Sequence, residues 1–214
     1  KDCKSSLIQF GGHAGAAVAR GDSDAEQIRV SGRNLALAAR LTRLRQARSW
    51  SLEELAEQSG ISRASLSRIE RGQTSPTAHV LGQLAAAYQM PMAALFSGLE
   101  DPGEDLVSHA VQQEWADPQT GFIRRNVSPA RTGYKGSVIE GTLPAGSEVT
   151  YSDTPIPGLE HHLLLRSGRL EVVLGEASHV LEAGDCLRFK LTSGNSYRAP
   201  GPEDAHYLLC VITP

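Results

Sequence analysis

The sequence predicts an α+β chain of two domains, a helical N-terminal domain followed by an all-β one. Three observations predict it. Apolar residues recur with a helical period from Asn34 to Phe96 and in short alternating runs beyond residue 107. Charge is divided, with nine basic and four acidic side chains in residues 29–75 against nine and sixteen in residues 99–214. Between these regions "SGLEDPGED", residues 97–105, is acidic and punctuated by Gly and Pro, as linkers are.

With 214 residues the chain has room for two domains of roughly 100 residues each. Its hydrophobic content of 40% and charged content of 21% belong to a globular protein, and 21 Gly with 11 Pro imply many turns. No stretch approaches the roughly 20 apolar residues that cross a bilayer, so a cytoplasmic protein without membrane partners is expected. Cys3, Cys186 and Cys210 lie far apart with no CxxC spacing and are expected as reduced thiols. The organisation that follows is an arm over residues 1–30, without lasting periodicity, a helical domain over 31–96, a linker over 97–106 and a β domain over 107–214.

Leu37, Leu41 and Leu44 place a first helix after Asn34, within a run of six arginines from Arg29 to Arg48 that contains no acid. "SLEE" at Ser51 is a capping box and opens a second helix, which Gly60 ends. Ser62 caps a third helix that runs to about Ile69–Arg71, before Gly72. Pro76 and Thr77 open a fourth, with Val80, Leu81, Leu84, Ala85 and Tyr88 inward, and Pro91 precedes a short fifth that ends at Leu95 and Phe96. Helices two and three are joined through so short a turn that they cross steeply, and Ala56 supplies the small residue at the crossing.

Residues 35–96, including "LEELAEQSGISRASLSRIERG" and "TSPT", resemble the helix-turn-helix domain of the lambda-repressor-like, or XRE, family of bacterial DNA-binding proteins. The resemblance implies that the third helix enters the major groove of an operator in double-stranded DNA. The base-reading positions then fall on Arg63, Ala64, Ser67 and Arg68, where a guanidinium suits guanine O6 and N7 and a methyl suits thymine. Ser62, Ser65, Gln73, Thr74, Arg43, Arg48 and Arg71 are expected on phosphates. Arg45 and Glu70 match a family salt bridge that ties the first helix to the end of the third.

Beyond the linker, "GFIRRNVS", "GSVIEGTL", "HHLLLRSGRLEVVLG", "SHVLEAGDCLRFK" and "HYLLCVIT" read as strands of an antiparallel sandwich or small barrel. "RSG" at 166–168 is expected as a hairpin turn, Gly175 and Gly184 mark further turns, and Asp185 is placed to bind amides of the second. This half resembles a cupin, a double-stranded β-helix of the jelly-roll kind. Cupins often hold a metal through His and Glu, but here His161 stands where the Glu would be, Asn195 replaces the later His, and "TYSDTPIPG" lacks His-x-His. No metal or other cofactor is therefore expected. Adjacent His161 and His162 must point to opposite faces of their strand.

The function these features imply is a DNA-binding transcription regulator, not an enzyme, acting as a homodimer whose cupin domain binds a small-molecule effector. Tyr151, Glu160, His161, Arg188 and Asn195 are the candidate pocket groups, although Arg188 fits an outward position equally well. Two alternatives stand beside this reading: a metal-dependent cupin enzyme fused to a DNA-binding head, and a regulator whose cupin serves only as a dimerisation platform.

Overall fold

Three helices of the N-terminal half start where a local side chain accepts one of their free amides. Helix α1, residues 34–47, buries Leu37, Ala38 and Leu41. Helix α2, Leu52–Ser59, starts at a complete capping box: the Glu54 amide donates to Ser51 Oγ (3.1 Å) and the Ser51 amide to Glu54 Oε2 (2.7 Å). It stops at Gly60, whose φ of 70° is left-handed and whose N–H bonds the Ala56 carbonyl. Helix α3, Arg63–Glu70, is capped by Ser62 and buries Leu66 and Ile69, and helix α4, Ala78–Ala87, is capped by Thr77. Helix α5, Met92–Leu95, follows Pro91.

These coordinates are a computed structural model that describes residues 34–96, 105–131 and 133–214. The arm expected over residues 1–30, Cys3 within it, and residues 97–104 of the expected linker lie outside the described residues. Residues 33–214 form one compact unit in which helices and strands pack together.

After a 3₁₀ turn at His109–Val111, ten strands follow among the described residues: β1 (Glu114–Ala116), β2 (Ile123–Ser128), β3 (Gly136–Leu143), β4 (Glu148–Tyr151), β5 (Glu160–Ser167), β6 (Leu170–Leu174), β7 (Ala177–Leu181), β8 (Cys186–Lys190), β9 (Asn195–Arg198) and β10 (Ala205–Ile212). They form a six-stranded sheet in the order β1-β2-β3-β10-β5-β8 and a four-stranded sheet in the order β4-β9-β6-β7, paired antiparallel. The chain passes repeatedly between the two, which is the jelly-roll architecture. Strict alternation turns Ile139 and Leu143 of β3, Leu163 and Leu165 of β5, and Tyr207, Leu209 and Val211 of β10 into a common core.

The hairpin expected at residues 166–168 is not one. β5 pairs with β10 and β8, β6 with β7 and β9, so this turn carries the chain from one sheet to the other. Gly168 makes the passage possible: it has φ 77°, and a Cβ there would lie 2.2 Å from the Asp204 carbonyl oxygen. The hairpin lies one turn later, at Gly175, between β6 and β7. At the "GD" turn, Asp185 Oδ2 accepts the Glu182 amide at 2.9 Å.

Candidate nucleic-acid interface and barrel cavity

On α3 the buried and exposed faces are opposite by helical period. Leu66 and Ile69 point into the core, while Arg63, Ala64 and Arg68 are exposed and Ser67 is half-buried between them. Ser62 Oγ accepts the Ser65 amide (3.2 Å) and lies 2.9 Å from the Ser65 hydroxyl, so these short donors are held at the helix entrance. Arg63 pairs with Glu53 of α2 at the surface. Gln73 and Thr74 are exposed in the turn after α3. Arg43 and Arg71 are exposed and bond backbone carbonyls on their own helices, those of Ala39 and Ser67.

Arg48 is differently employed. Its guanidinium donates to the Ala87 and Tyr88 carbonyls at the end of α4 and lies 5.2 Å from the Trp50 ring centroid and 5.6 Å from that of Tyr88. That arrangement makes it a helix cap and not a group held out for a phosphate. Arg45 and Glu70 meet as a fork: Nε to Oε1 and Nη2 to Oε2, both 2.8 Å, with Arg45 Nη1 also donating to the Trp50 carbonyl. The end of α3 is thereby fixed to α1.

The barrel holds a partly open cavity of about 80 Å³. Its wall is an aromatic stack, Phe122 over Tyr207 (6.5 Å, 13°) and Tyr207 over Tyr197 (6.2 Å, 11°), with Tyr151 edge-on to Tyr197. Gly141, opposite Tyr207 across β3 and β10, leaves room for that ring: a Cβ would fall 2.3 Å from Tyr207 Cζ. Burial raises the pKa of all three tyrosines, Tyr151 to about 12, so their hydroxyls stay neutral. His161 enters from β5, where burial, assisted by the charges of Arg124 and His162, depresses its pKa to about 4. Its Nδ1 and the Oδ1 of Asn195 are buried without partners.

Helices of the N-terminal half form part of the cavity wall. Gly82 and Ala85 of α4 and Met92 and Ala93 of α5 line it together with the barrel residues. Gly82 lets Tyr151 approach, since a Cβ there would be 3.0 Å from the ring. Asp117, between β1 and β2, accepts the Ala78 amide at the start of α4 (2.6 Å), and Trp115 donates to Ser75 Oγ (3.3 Å). The ring of Phe96, next to α5, packs against Trp115 and faces the Arg124 guanidinium at 5.8 Å.

Of the pocket groups expected from sequence, Tyr151, His161 and Asn195 line the cavity. Glu160 and Arg188 do not. Glu160 faces outward beside His161 and accepts from His162 Nε2 at 2.7 Å, while Arg188 is exposed and opposite His162 in the register. His161 and His162 do point to opposite faces. Sequence reasoning missed Arg124, Tyr197 and Tyr207; the signal for Arg124 was the alternation of Phe122, Arg124 and Asn126, which puts an arginine on the inward face of β2.

The metal that the cupin fold implies does not fit these residues. Among the described residues no cluster of three or more His, Cys, Asp or Glu converges, and the cavity imidazole of His161 feels the positive charge of Arg124, which opposes a cation.

A helix-turn-helix head with an exposed polar helix, seated on a jelly-roll barrel, defines a DNA-binding transcriptional regulator. Residues 36–95 match the helix-turn-helix domain family. The chain carries an XRE-like helix-turn-helix head followed by a cupin-like jelly-roll domain, and over most of its length it is similar to helix-turn-helix transcriptional regulators. It is 28% identical over 178 residues to the HTH-type transcriptional regulator SutR of Escherichia coli, covering 80% of this chain and 91% of that protein. It is 38% identical over 81 residues to the HTH-type transcriptional regulator DdrOP3 of Deinococcus deserti, 38% of this chain and 62% of that one. The crystal structure of an HTH_3 family transcriptional regulator from Vibrio cholerae matches with a TM-score of 0.72 at 25% identity, over 86% of this chain and 98% of that one.

Proposed function

We propose that the protein is a sequence-specific, ligand-responsive transcription regulator and not an enzyme, working in the cytoplasm as a homodimer. The observation that carries the sensing part is the composition of the cavity wall: α4 and α5, elements of the DNA-binding half, line it beside Tyr151, His161 and Asn195. A ligand there contacts the head directly. It shifts operator affinity only in so far as it favours one placement of the head, and couplings of this kind are typically about 1–3 kcal/mol.

On DNA, Arg63, Ala64, Ser67 and Arg68 read base edges. Ser62, Ser65, Gln73 and Thr74, with Arg43 and Arg71, hold phosphates. Arg63 exchanges its surface contact with Glu53 for the groove, at little cost because exposed ion pairs contribute about 0–1 kcal/mol. In the dimer the two heads meet half-sites roughly 34–36 Å apart. The half-buried outward residues Val138, Leu164, Leu208 and Ile212 of the six-stranded sheet support pairing of two barrels through that face.

The test is selection of a binding site from random DNA, followed by titration of that site with wild type and with Arg63→Ala/Arg68→Ala. The double variant should lose discrimination between the selected site and random DNA while keeping its helical circular dichroism. Retained discrimination would remove the recognition-helix assignment.

A further inference from the structure

Among the described residues, Arg124 is a cation without a counter-ion. It is 6% exposed, its Nε–H is buried with no acceptor, and no carboxylate pairs with it among the described residues. Its surroundings are the neutral hydroxyls of Tyr151, Tyr197 and Tyr207 and the face of Phe96. Arg45 has Glu70, and Arg125, next in sequence but on the opposite face of β2, has Glu114 at 2.7 Å and Glu140 at 3.4 Å; Arg40, less deeply buried, has the Ala94 carbonyl although its Nε too lacks an acceptor. Burial lowers the pKa of Arg124, yet from so high a starting value that the guanidinium keeps its charge.

A buried charge left unpaired is destabilising, and a lost partner is the usual reason for one. Here the space beside it is a cavity. Two more orphaned atoms, His161 Nδ1 and Asn195 Oδ1, belong to residues that line the same cavity, and the second can only accept. The volume of about 80 Å³ admits roughly five to seven heavy atoms. We infer that the cavity binds a small organic carboxylate bearing its own hydrogen-bond donor, the carboxylate seated on Arg124 and the donor on Asn195. This rests on the reading of the cavity as a ligand site and gives that ligand its chemistry. Phe96 and α5 then sense occupancy through the guanidinium, whose charge the carboxylate neutralises.

The experiment is thermal unfolding and calorimetric titration of the full chain and of Arg124→Met with lactate, glycerate and serine, and with acetate, lactamide and putrescine as comparisons. Without added compound, Arg124→Met should melt at or above the wild-type temperature, because it removes an unpaired charge from an apolar wall. At least one hydroxy or amino acid should stabilise the wild type more than acetate does, with affinity falling at least about tenfold in Arg124→Met. A variant that melts below wild type, a wild type indifferent to every carboxylate, or stabilisation by lactamide equal to that by lactate overturns the inference. Stabilisation by putrescine or lactamide that persists in Arg124→Met would keep the sensor and remove the anion site. A carboxylate that binds through Arg124 yet leaves operator affinity unchanged would keep the site and remove the sensor.

Discussion

Asp117 is one side chain through which the barrel holds the DNA-binding half, and replacing it with asparagine keeps its shape while removing its charge and turning one acceptor into a donor. It is 4% exposed; Oδ2 accepts the Ala78 amide at 2.6 Å, and Oδ1 accepts the amides of Gln119 (2.7 Å) and Thr120 (3.1 Å). Ala78 opens α4, where amides lack intrahelical acceptors and the helix dipole favours negative charge. In Asp117→Asn, whichever way the amide turns, its NH₂ group faces a backbone N–H. The loss of one charge-assisted bond, about 1.5–3 kcal/mol, with the dipole contribution of about 0.3–1 kcal/mol, gives an expected destabilisation of about 2–4 kcal/mol. Urea unfolding of the full chain should be followed by helical circular dichroism and by tryptophan fluorescence, since Trp115 lies at the junction. The midpoint should drop and the two signals should separate as the head is released from the barrel. A shift within about 0.5 kcal/mol of wild type, with coincident signals, would refute the reasoning.

Glu70→Ala should cost about 3 kcal/mol, because it leaves the Arg45 guanidinium, 15% exposed, without the two 2.8 Å bonds of its fork. Arg45→Ala/Glu70→Ala should cost less than the sum of the two single changes in urea unfolding, and strict additivity would refute the coupling. His161 titrates near 4 in the fold, below its ordinary value of 6.5, so on acidification the unfolded chain takes up the proton first. Its contribution is intact above about pH 6.5, declines as pH falls towards 4 and is then spent, for a total of about 3 kcal/mol. Urea midpoints at pH 7 and pH 4.5 should diverge less in His161→Gln than in wild type, and equal divergence would refute the assignment.

The helical half was legible in the sequence because its determinants are local. Ser51 with Glu54, Gly60, Ser62 and Thr77 each fix a helix end with groups no more than four residues away. The longer strands were legible, since alternation is local too, but β1, β4 and β9, of three or four residues each, are too short to show it, and the partners of the strands were not legible. The turn at Gly168 has the same composition whether it joins paired strands or moves the chain between sheets, and the choice depends on β8 and β10, which come later in the chain.

The cavity shows the same limit in a sharper form. Alternation assigns every second residue of a strand to one face without saying which face is inner. Glu160 and Arg188 were therefore grouped with inward His161 although each belongs to the opposite parity, while "RR" at 124–125 reads as a solvated pair when no phase is assigned. Phe122 supplies that phase: it is 4% exposed and two residues before Arg124, so one of the two arginines must share the aromatic face. The contribution of α4 lay beyond any such rule, because Gly82 and Ala85 look like ordinary small residues of a helix interface until the barrel they cover is known. A charge that shares the parity of its strand's aromatic residues is thus the position to test first, since burying a charge without a partner is costly and Arg124 bears that cost on the wall of a cavity.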